Sequence, residues 1–299
     1  MSGVIKIITA MCIWGSLGVF VKNISLESFE LAFLRAVIAS IIVGGVYFIK
    51  SKEKNNSKKD LDEEMKINPN RNKLILILSG ILIGFNWVLL FQSYNYTTIS
   101  NATLGYYFAP VIVVLLSPII FKEKFTLKIG LSVFAAMGGL FLILNTQAGS
   151  SIGEFNHLKG ISIALGAACL YATVMILNKY IQGVGDYERT FVQLFSAAIV
   201  LLPFVIYRNN LIINDIKSLA FIIILGVIHT GVAYVLYFSA IKDIKAQTAA
   251  LLSYVDPVSA IFFSVAFLGE PLSILQVVGG GIILISAYIA QKQPQKATT

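Results

Sequence analysis

The sequence predicts an all-α membrane protein of ten transmembrane helices, arranged as two inverted five-helix repeats with the N-terminus and the C-terminus in the cytoplasm. The composition, the lengths of the apolar runs and an internal repeat lead to this prediction. Of the 299 residues, 57% are hydrophobic and 13% are charged, and the mean hydropathy is +0.81. A soluble domain carries about 25% charged residues, so this chain has too little polar surface for water and belongs in lipid.

The apolar runs have the length of bilayer crossings. A crossing needs about 20 apolar residues, and a helix satisfies its own backbone groups where no water is present. The connections are short apart from the charged segment 50–73, which is predicted to be a cytoplasmic loop. Ten runs meet the length requirement, at 3–22, 29–49, 73–93, 101–121, 127–145, 159–180, 188–207, 217–239, 246–267 and 273–290.

The basic residues predict the orientation. With the N-terminus placed in the cytoplasm, eighteen of the 23 Lys and Arg residues fall on the cytoplasmic side, four fall opposite and Arg35 lies within a span. Such an excess of Lys and Arg is typical of cytoplasmic connections. The net charge of +8 therefore reflects topology, and it requires no nucleic-acid partner.

The chain repeats itself at a shift of 147 residues. Pro110 then meets Pro257, and Glu123 meets Glu270. Each half, 1–145 and 146–299, contains five predicted spans, and an odd number inverts the second half in the membrane. In transporters, inverted repeats place the substrate site near the midplane. Further matched pairs are Tyr107 with Tyr254 and, at a shift of 157, Trp14 with Tyr171.

Several stretches resemble an EamA-type member of the drug/metabolite transporter superfamily. They are "MCIWGSLGVFVK" in the first span, Arg35 in the second, and "LLSYVDPVSAIFFSVAFLGEPLSILQVVGGGIILI" in the last two. A weaker copy, "LGYYFAPVIVVLLSPIIFKEKFTLKIG", departs from the pattern at Lys122 and Ile129. The resemblance covers about 3–290. It implies a ten-helix bundle with a central cavity and, commonly, export of amino acids or other small metabolites.

Two ionisable residues within predicted spans are candidates for coupling or ion pairing. Asp256 lies near the middle of the ninth span, where a charge is costly. It can serve proton coupling or substrate contact, form a structural pair, for instance with Arg35, or reach water, and these alternatives stay open. Arg35 lies about six residues into its span, where snorkelling toward the headgroups is the simpler interpretation.

Aromatic and polar residues are predicted to line the substrate site. Such a lining suits an amphipathic solute, through stacking or cation–π contact, although ordinary packing is the alternative for each aromatic residue. Pro110 and Pro257 are predicted hinges because each removes a backbone hydrogen bond. The substrate-site candidates are Trp14, Asn86, Tyr107, Tyr171, His229 and Tyr254.

Glutamates and glycines have structural interpretations. Glu123 and Glu270 are predicted to be helix caps or turn residues, since a carboxylate meets free N–H groups at a helix N-terminus. The glycines at 279–281 and at 138–139 permit close helix approach, which leaves a homodimer open.

The sequence therefore predicts a secondary transporter rather than an enzyme. Cys12 and Cys169 lie within spans and suggest neither a disulfide framework nor a zinc site. No nucleotide-binding fingerprint is present, and no catalytic residues, metal or cofactor are predicted. We expect a multi-pass protein of the inner (cytoplasmic) cell membrane that exports amino acids or related amphipathic solutes by alternating access. Alternatives are transport of amines, nucleosides or organic acids, a non-transporting scaffold, and an intramembrane enzyme.

Overall fold

A computed structural model of the protein describes residues 2–21, 24, 26–57, 69–93, 95–97, 99–145, 156–181, 183–213, 215–269 and 272–291. Within these ranges the chain is helical and contains no β-strand. The helices are α1 (Gly3–Gly15), α2 (Leu17–Val21), α3 (Ser28–Ser57), α4 (Pro69–Ser93), α5 (Ile99–Tyr106), α6 (Ala109–Phe121), α7 (Leu127–Asn145), α8 (His157–Tyr180), α9 (Asp186–Arg208), α10 (Ile216–Ile224), a π-helix (Leu225–Val232), α11 (Ala233–Ile241), α12 (Ala246–Leu252), α13 (Val255–Leu268) and α14 (Ile274–Gln291).

Helical stretches of membrane-spanning length account for most of the fold. Each of the ten predicted apolar runs contains helix, while the count of ten spans and the cytoplasmic position of both termini stay predictions. Three apolar helices in the described ranges have only 10–17 residues: Ala109–Phe121, Leu127–Ile143 and Ile274–Ile289. Seven stretches of the described chain are long and apolar enough to cross a bilayer: Gly3–Val21, Phe29–Ser51, Asn70–Ser93, His157–Tyr180, Asp186–Arg208, Ile216–Ile241 and Ala246–Phe267.

The predicted loop 50–73 is wrong at both of its ends. Helix α3 continues through the charged residues to Ser57, and α4 already begins at Pro69. Lys and Glu are good helix formers, so a helix can extend beyond the bilayer into water. A proline at the first helical position is favoured because its missing N–H would have no partner there. Residues 58–68 lie outside the described residues.

Two of the membrane helices are broken. The break between α5 and α6 falls at Tyr107 and Phe108, and the break between α12 and α13 falls at Ser253 and Tyr254. Pro110 and Pro257, which the sequence analysis treated as sites of a lost hydrogen bond, instead lie in the first turn of a new half-helix. The first turn has unpaired N–H groups in any case, so proline costs little there. Hinge motion at these breaks stays a prediction.

The helices pack in reciprocal pairs. In the first half, α1 packs against α11 and α13 of the second half. In the second half, α8 packs against α4, α5 and α6 of the first half. Three other pairs join corresponding helices: α3 with α9, α6 with α12, and α7 with α14. The main contacts between the halves therefore have counterparts formed by the corresponding helices.

Helices α7 and α14 touch through their backbones at Gly139 and Gly279. A Cβ atom added to Gly279 would lie 2.4 Å from the carbonyl oxygen of Gly139, and one on Gly139 would lie 2.6 Å from that of Gly279. Small residues allow such an approach between membrane helices. This contact lies within one chain, so it gives these two glycines a role that needs no homodimer.

We predict that Gly279→Ala destabilises the protein, because its new methyl group meets backbone that cannot move aside. Overpacking of this kind costs roughly 1–3 kcal/mol of unfolding free energy. The measurement is thermal unfolding of the purified protein in detergent.

The matched control is Gly281→Ala, two residues along the same helix, where an added Cβ has no neighbour within 4 Å. Alanine is the better helix former, so this variant should be as stable as the wild type or more stable. Equal melting temperatures for the two variants would contradict the proposed close contact.

Candidate functional site

Asp256 and Tyr107 join the two broken helices at their breaks. The Tyr107 hydroxyl donates to Asp256 Oδ2 at 2.6 Å, and the Tyr254 hydroxyl donates to the Tyr107 carbonyl oxygen at 2.9 Å. Asp256 lies in the first turn of α13, where free N–H groups and the helix dipole favour a negative charge. The break therefore offsets part of the cost of a carboxylate within a span.

Helix α1 approaches this carboxylate region closely. A Cβ atom on Gly15 would lie 2.8 Å from the carbonyl oxygen of Asp256 and 2.1 Å from Ser259 Oγ. Only a residue without a side chain fits between α1 and α13 at this level. Gly15 therefore faces α13 just after its break, while the preceding residue, Trp14, faces the π-helix, where it donates to His229.

Arg35 does not pair with Asp256. Its Nε donates to Thr230 Oγ1 at 3.1 Å, and its guanidinium carbon lies 5.7 Å from the ring centroid of Trp87. No carboxylate of a described residue lies within ion-pair distance of Arg35. The alternative of a structural pair between the two residues is therefore wrong. Arg35 is only 7% exposed, so its side chain is turned into the bundle and does not snorkel.

A π-helix positions the polar residues opposite Arg35. It spans Leu225–Val232, and the Thr230 hydroxyl donates to the Leu225 carbonyl oxygen at 2.9 Å. The wider π-turn lets this hydroxyl reach a carbonyl group five residues earlier while it accepts from Arg35. Such segments are rare and often occur at functional sites. The sequence analysis selected His229 in this segment but missed both the π-helix and Thr230.

His229 contacts the first predicted span. Its carbonyl oxygen accepts from Trp14 Nε1 at 2.7 Å, and its Nε2 lies 2.9 Å from Ser16 Oγ. The Phe20 ring meets the imidazole edge to face, with centroids 4.9 Å apart. His229 is buried, and its Nδ1 has no hydrogen-bond partner among the described residues.

The aromatic residues form two clusters. The repeat counterparts Trp14 and Tyr171 fall in different clusters, and the sequence analysis did not select Trp87, Tyr234 or Tyr237 as site candidates. The first cluster, beside Arg35, contains Trp14, Trp87, Tyr234, Tyr237 and Phe238. The second, beside Asp256, contains Tyr106, Tyr107, Tyr171 and Tyr254.

Asn86 connects α4 to α8. Its Nδ2 donates to the Ala167 carbonyl oxygen at 2.7 Å, and its Oδ1 accepts from the Tyr106 hydroxyl at 3.4 Å. The side chain is 2% exposed, so these contacts serve helix packing in this conformation. A role for Asn86 in substrate binding stays a prediction.

Glu123 caps a helix, as predicted, but the helix belongs to the other half of the chain. Its carboxylate accepts from the N–H groups of Ala246 at 2.8 Å and Gln247 at 3.2 Å, at the start of α12. The Gln247 side chain donates to Ser117 Oγ at 2.8 Å, which adds a second link between α6 and α12. Glu270 lies outside the described residues.

Arg189, which the sequence analysis counted among the cytoplasmic cations, is fully buried. It donates to the carbonyl oxygens of Asn178 at 3.1 Å, Ile181 at 2.7 Å and Phe238 at 3.5 Å. A cation at a helix C-terminus satisfies carbonyl groups that have no partner within the helix. Arg189 therefore closes the end of α8 inside the protein.

A polar pocket lies at the opposite end of the bundle from Glu123. We call it the Arg208 pocket; its volume is about 230 Å³, and it is lined by Glu27, Phe29, Phe91, Asn95 and Arg208. Arg208 pairs with Glu27, and its Nε lies 3.3 Å from Oε1 of the buried Glu30.

Among the residues predicted to line a central cavity, Trp14 contacts His229 and Tyr107 contacts Tyr254, while the cavity itself stays a prediction. A second pocket, between α7 and α14, is also peripheral, and its lining includes Lys128, Ser132 and Ser286. Around the breaks, Tyr254 is buried, while Tyr107 and Asp256 are half-buried.

A bundle of apolar helices, two of them broken around polar groups in the bilayer, has the architecture of a multi-pass membrane transporter. The chain belongs to the EamA-like transporter family, whose sequence model matches residues 1–145 and 158–290. This confirms the resemblance seen in the sequence.

Individual relatives extend over most of the chain. The uncharacterized transporter YxxF of Bacillus subtilis is 30% identical over 293 residues, which cover 97% of this chain and 88% of that protein. An uncharacterized transporter of Archaeoglobus fulgidus is 27% identical and covers 97% of both chains. The protein RarD of Salmonella typhi is 25% identical over 90% of this chain and 87% of its own. A crystal structure at 15% identity has the same fold, with a TM-score of 0.82 over 96% of both chains.

We predict that Glu123→Ala lowers the stability of the protein, because two N–H groups at the start of α12 lose their acceptor. Loss of a helix cap costs roughly 0.5–2 kcal/mol of unfolding free energy. Glu123→Gln keeps one acceptor oxygen and should cost less. Thermal unfolding in detergent measures both, with exposed Lys124→Ala as the control. Wild-type stability of Glu123→Ala would show that the cap contributes nothing.

Proposed function

We propose that the chain is a secondary transporter of small amphipathic metabolites, with amino acids as the favoured class. It works by alternating access between two inverted repeats, 1–145 and 146–299, in the inner cell membrane of a bacterium. The reciprocal packing supports this mechanism, since α1 contacts the second half as α8 contacts the first. If the two repeats exchange their packing, the protein has two equivalent conformations. One is open to the cytoplasm and the other to the opposite side of the membrane.

The observation that carries the proposal is the Tyr107–Asp256 hydrogen bond between two helix breaks. Discontinuous helices in transporters expose backbone groups and half-helix ends to the substrate and the coupling ion. Here each half contributes one break, and the two breaks meet. A rearrangement of either half must therefore change the contacts of Asp256.

The surroundings of the breaks favour an amphipathic solute. Tyrosine rings stack beside Asp256, with centroids of Tyr107 and Tyr254 6.1 Å apart. A carboxylate binds an amine, and aromatic faces bind apolar groups or cations. Amino acids and amines share this chemistry, whereas nucleosides and organic acids lack a protonated amine.

The test is solute flux into proteoliposomes that contain the purified full-length protein. The panel comprises radiolabelled amino acids, amines, nucleosides and organic acids, with protein-free liposomes as the control. We expect saturable flux of at least one amino acid. Flux of none of these solutes above the control would contradict transport, and flux of another class alone would replace the amino-acid assignment.

We predict that Asp256→Asn reduces transport about tenfold and removes its dependence on pH, because the amide cannot exchange a proton. Tyr107→Phe removes the hydrogen bond but leaves the carboxylate, so its flux should remain dependent on pH with a displaced midpoint. Flux is measured across a pH series, and His229→Ala is compared because a histidine side chain can also exchange a proton. If Asp256→Asn keeps the turnover and pH profile of the wild type, Asp256 is not the coupling group.

A further inference from the structure

We propose that Arg35 binds the carboxylate of the transported solute. This inference rests on the proposed function and names one chemical group that the substrate must carry. Arg35 lies within a predicted span, is 7% exposed and cannot lose its charge. A cation in that position needs an anion or several hydrogen-bond acceptors, and no described residue supplies an anion within ion-pair distance.

The guanidinium of Arg35 has unused hydrogen-bond donors. Its Nε donates to Thr230, while its two terminal nitrogens donate to no described residue. Two other arginines within the described helices have protein partners. Arg189 donates to three carbonyl oxygens. Arg208 pairs with Glu27 and Glu30. Arg35 alone of these three presents a free pair of donors.

The free donors fit a carboxylate. The planar fork of arginine matches the two oxygens of a carboxylate or a phosphate. One fixed cation neutralises one negative charge, so a dianionic phosphate would keep an uncompensated charge in a region of low dielectric constant. A monoanion is therefore favoured. The Trp87 face beside the guanidinium and the adjoining Tyr234 ring give the solute's apolar part a surface to contact.

The Arg208 pocket lies close to Arg35. Its lining residue Phe91 is four residues after Trp87 in α4, so the two rings lie one turn apart on the same helix face. Trp87 in turn packs under the Arg35 guanidinium. A solute that moves between the Arg208 pocket and Arg35 would pass along α4 from Phe91 to Trp87, a distance of about one helical turn.

The experiment compares carboxylates with their amides in proteoliposomes. The probes are radiolabelled phenylalanine and phenylalaninamide, leucine and leucinamide, and phenylacetate and phenylacetamide. We expect wild-type flux to be at least about tenfold greater for the carboxylate in one or more pairs, as for a charged hydrogen-bonded contact. Arg35→Gln should abolish that ratio while it continues to transport the amide. Arg35→Lys keeps the charge but loses the fork, so its ratio should be intermediate.

Controls separate this proposal from simple loss of folding. Lys217→Gln removes an exposed cation near the same end of the bundle, outside the Arg208 pocket, and should keep the wild-type ratio. Thermal unfolding and gel filtration check each variant, and Arg35→Lys serves if Arg35→Gln does not fold. Equal flux of both members in every pair, or an unchanged ratio in the Arg35 variants, overturns the carboxylate site while transport itself stands. No flux of any solute would instead contradict the proposed function.

Discussion

Lack of water in the bilayer core is the constraint on which this structure depends. A polar group there must find its partner within the chain. Arg189 does so through the carbonyl groups at the end of α8, and Asn86 through a carbonyl group of α8. Asp256 does so through Tyr107 and the first turn of α13. Arg35 satisfies this requirement only partly, and for that reason it is the residue from which a ligand can be inferred.

The scaffold is repeated, but its chemistry is not. The two helix breaks fall at nearly equivalent positions, yet Asp256 at one break corresponds to Ala109 at the other. The π-helix in the eighth predicted span likewise corresponds to a regular part of α4. A transporter with repeated halves can change state by exchanging two similar packings, while its unequal polar groups decide what it binds. The proposed binding groups, Asp256 and Arg35, therefore lie where the halves differ in their polar chemistry.

Composition, periodicity and the Pro and Glu matches were enough to predict helices in the ten apolar runs and a helix cap at Glu123. Contacts between distant parts of the chain were not predictable in the same way. The link from Arg35 to Thr230 spans 195 residues, and the π-helix depends on packing rather than on local sequence. Trp87 and Tyr234 are 147 residues apart, the period of the repeat, but only the fold shows that Trp87 contacts the Arg35 guanidinium and packs against Tyr234. The two ends of the charged segment, 50–57 and 69–73, were misassigned because a helix can continue through charged residues after the apolar run ends.

The backbone contact between Gly139 and Gly279 fixes how far α7 and α14 can slide. No side chain separates the two helices at this level, and displacement toward Val278 or Leu140 would bring a branched side chain against the facing main chain. The contact therefore restricts sliding in that direction. Because α7 and α14 belong to different halves, a rocking motion that preserves this contact must pivot about it. The largest displacements then occur in the helices farthest from Gly139 and Gly279.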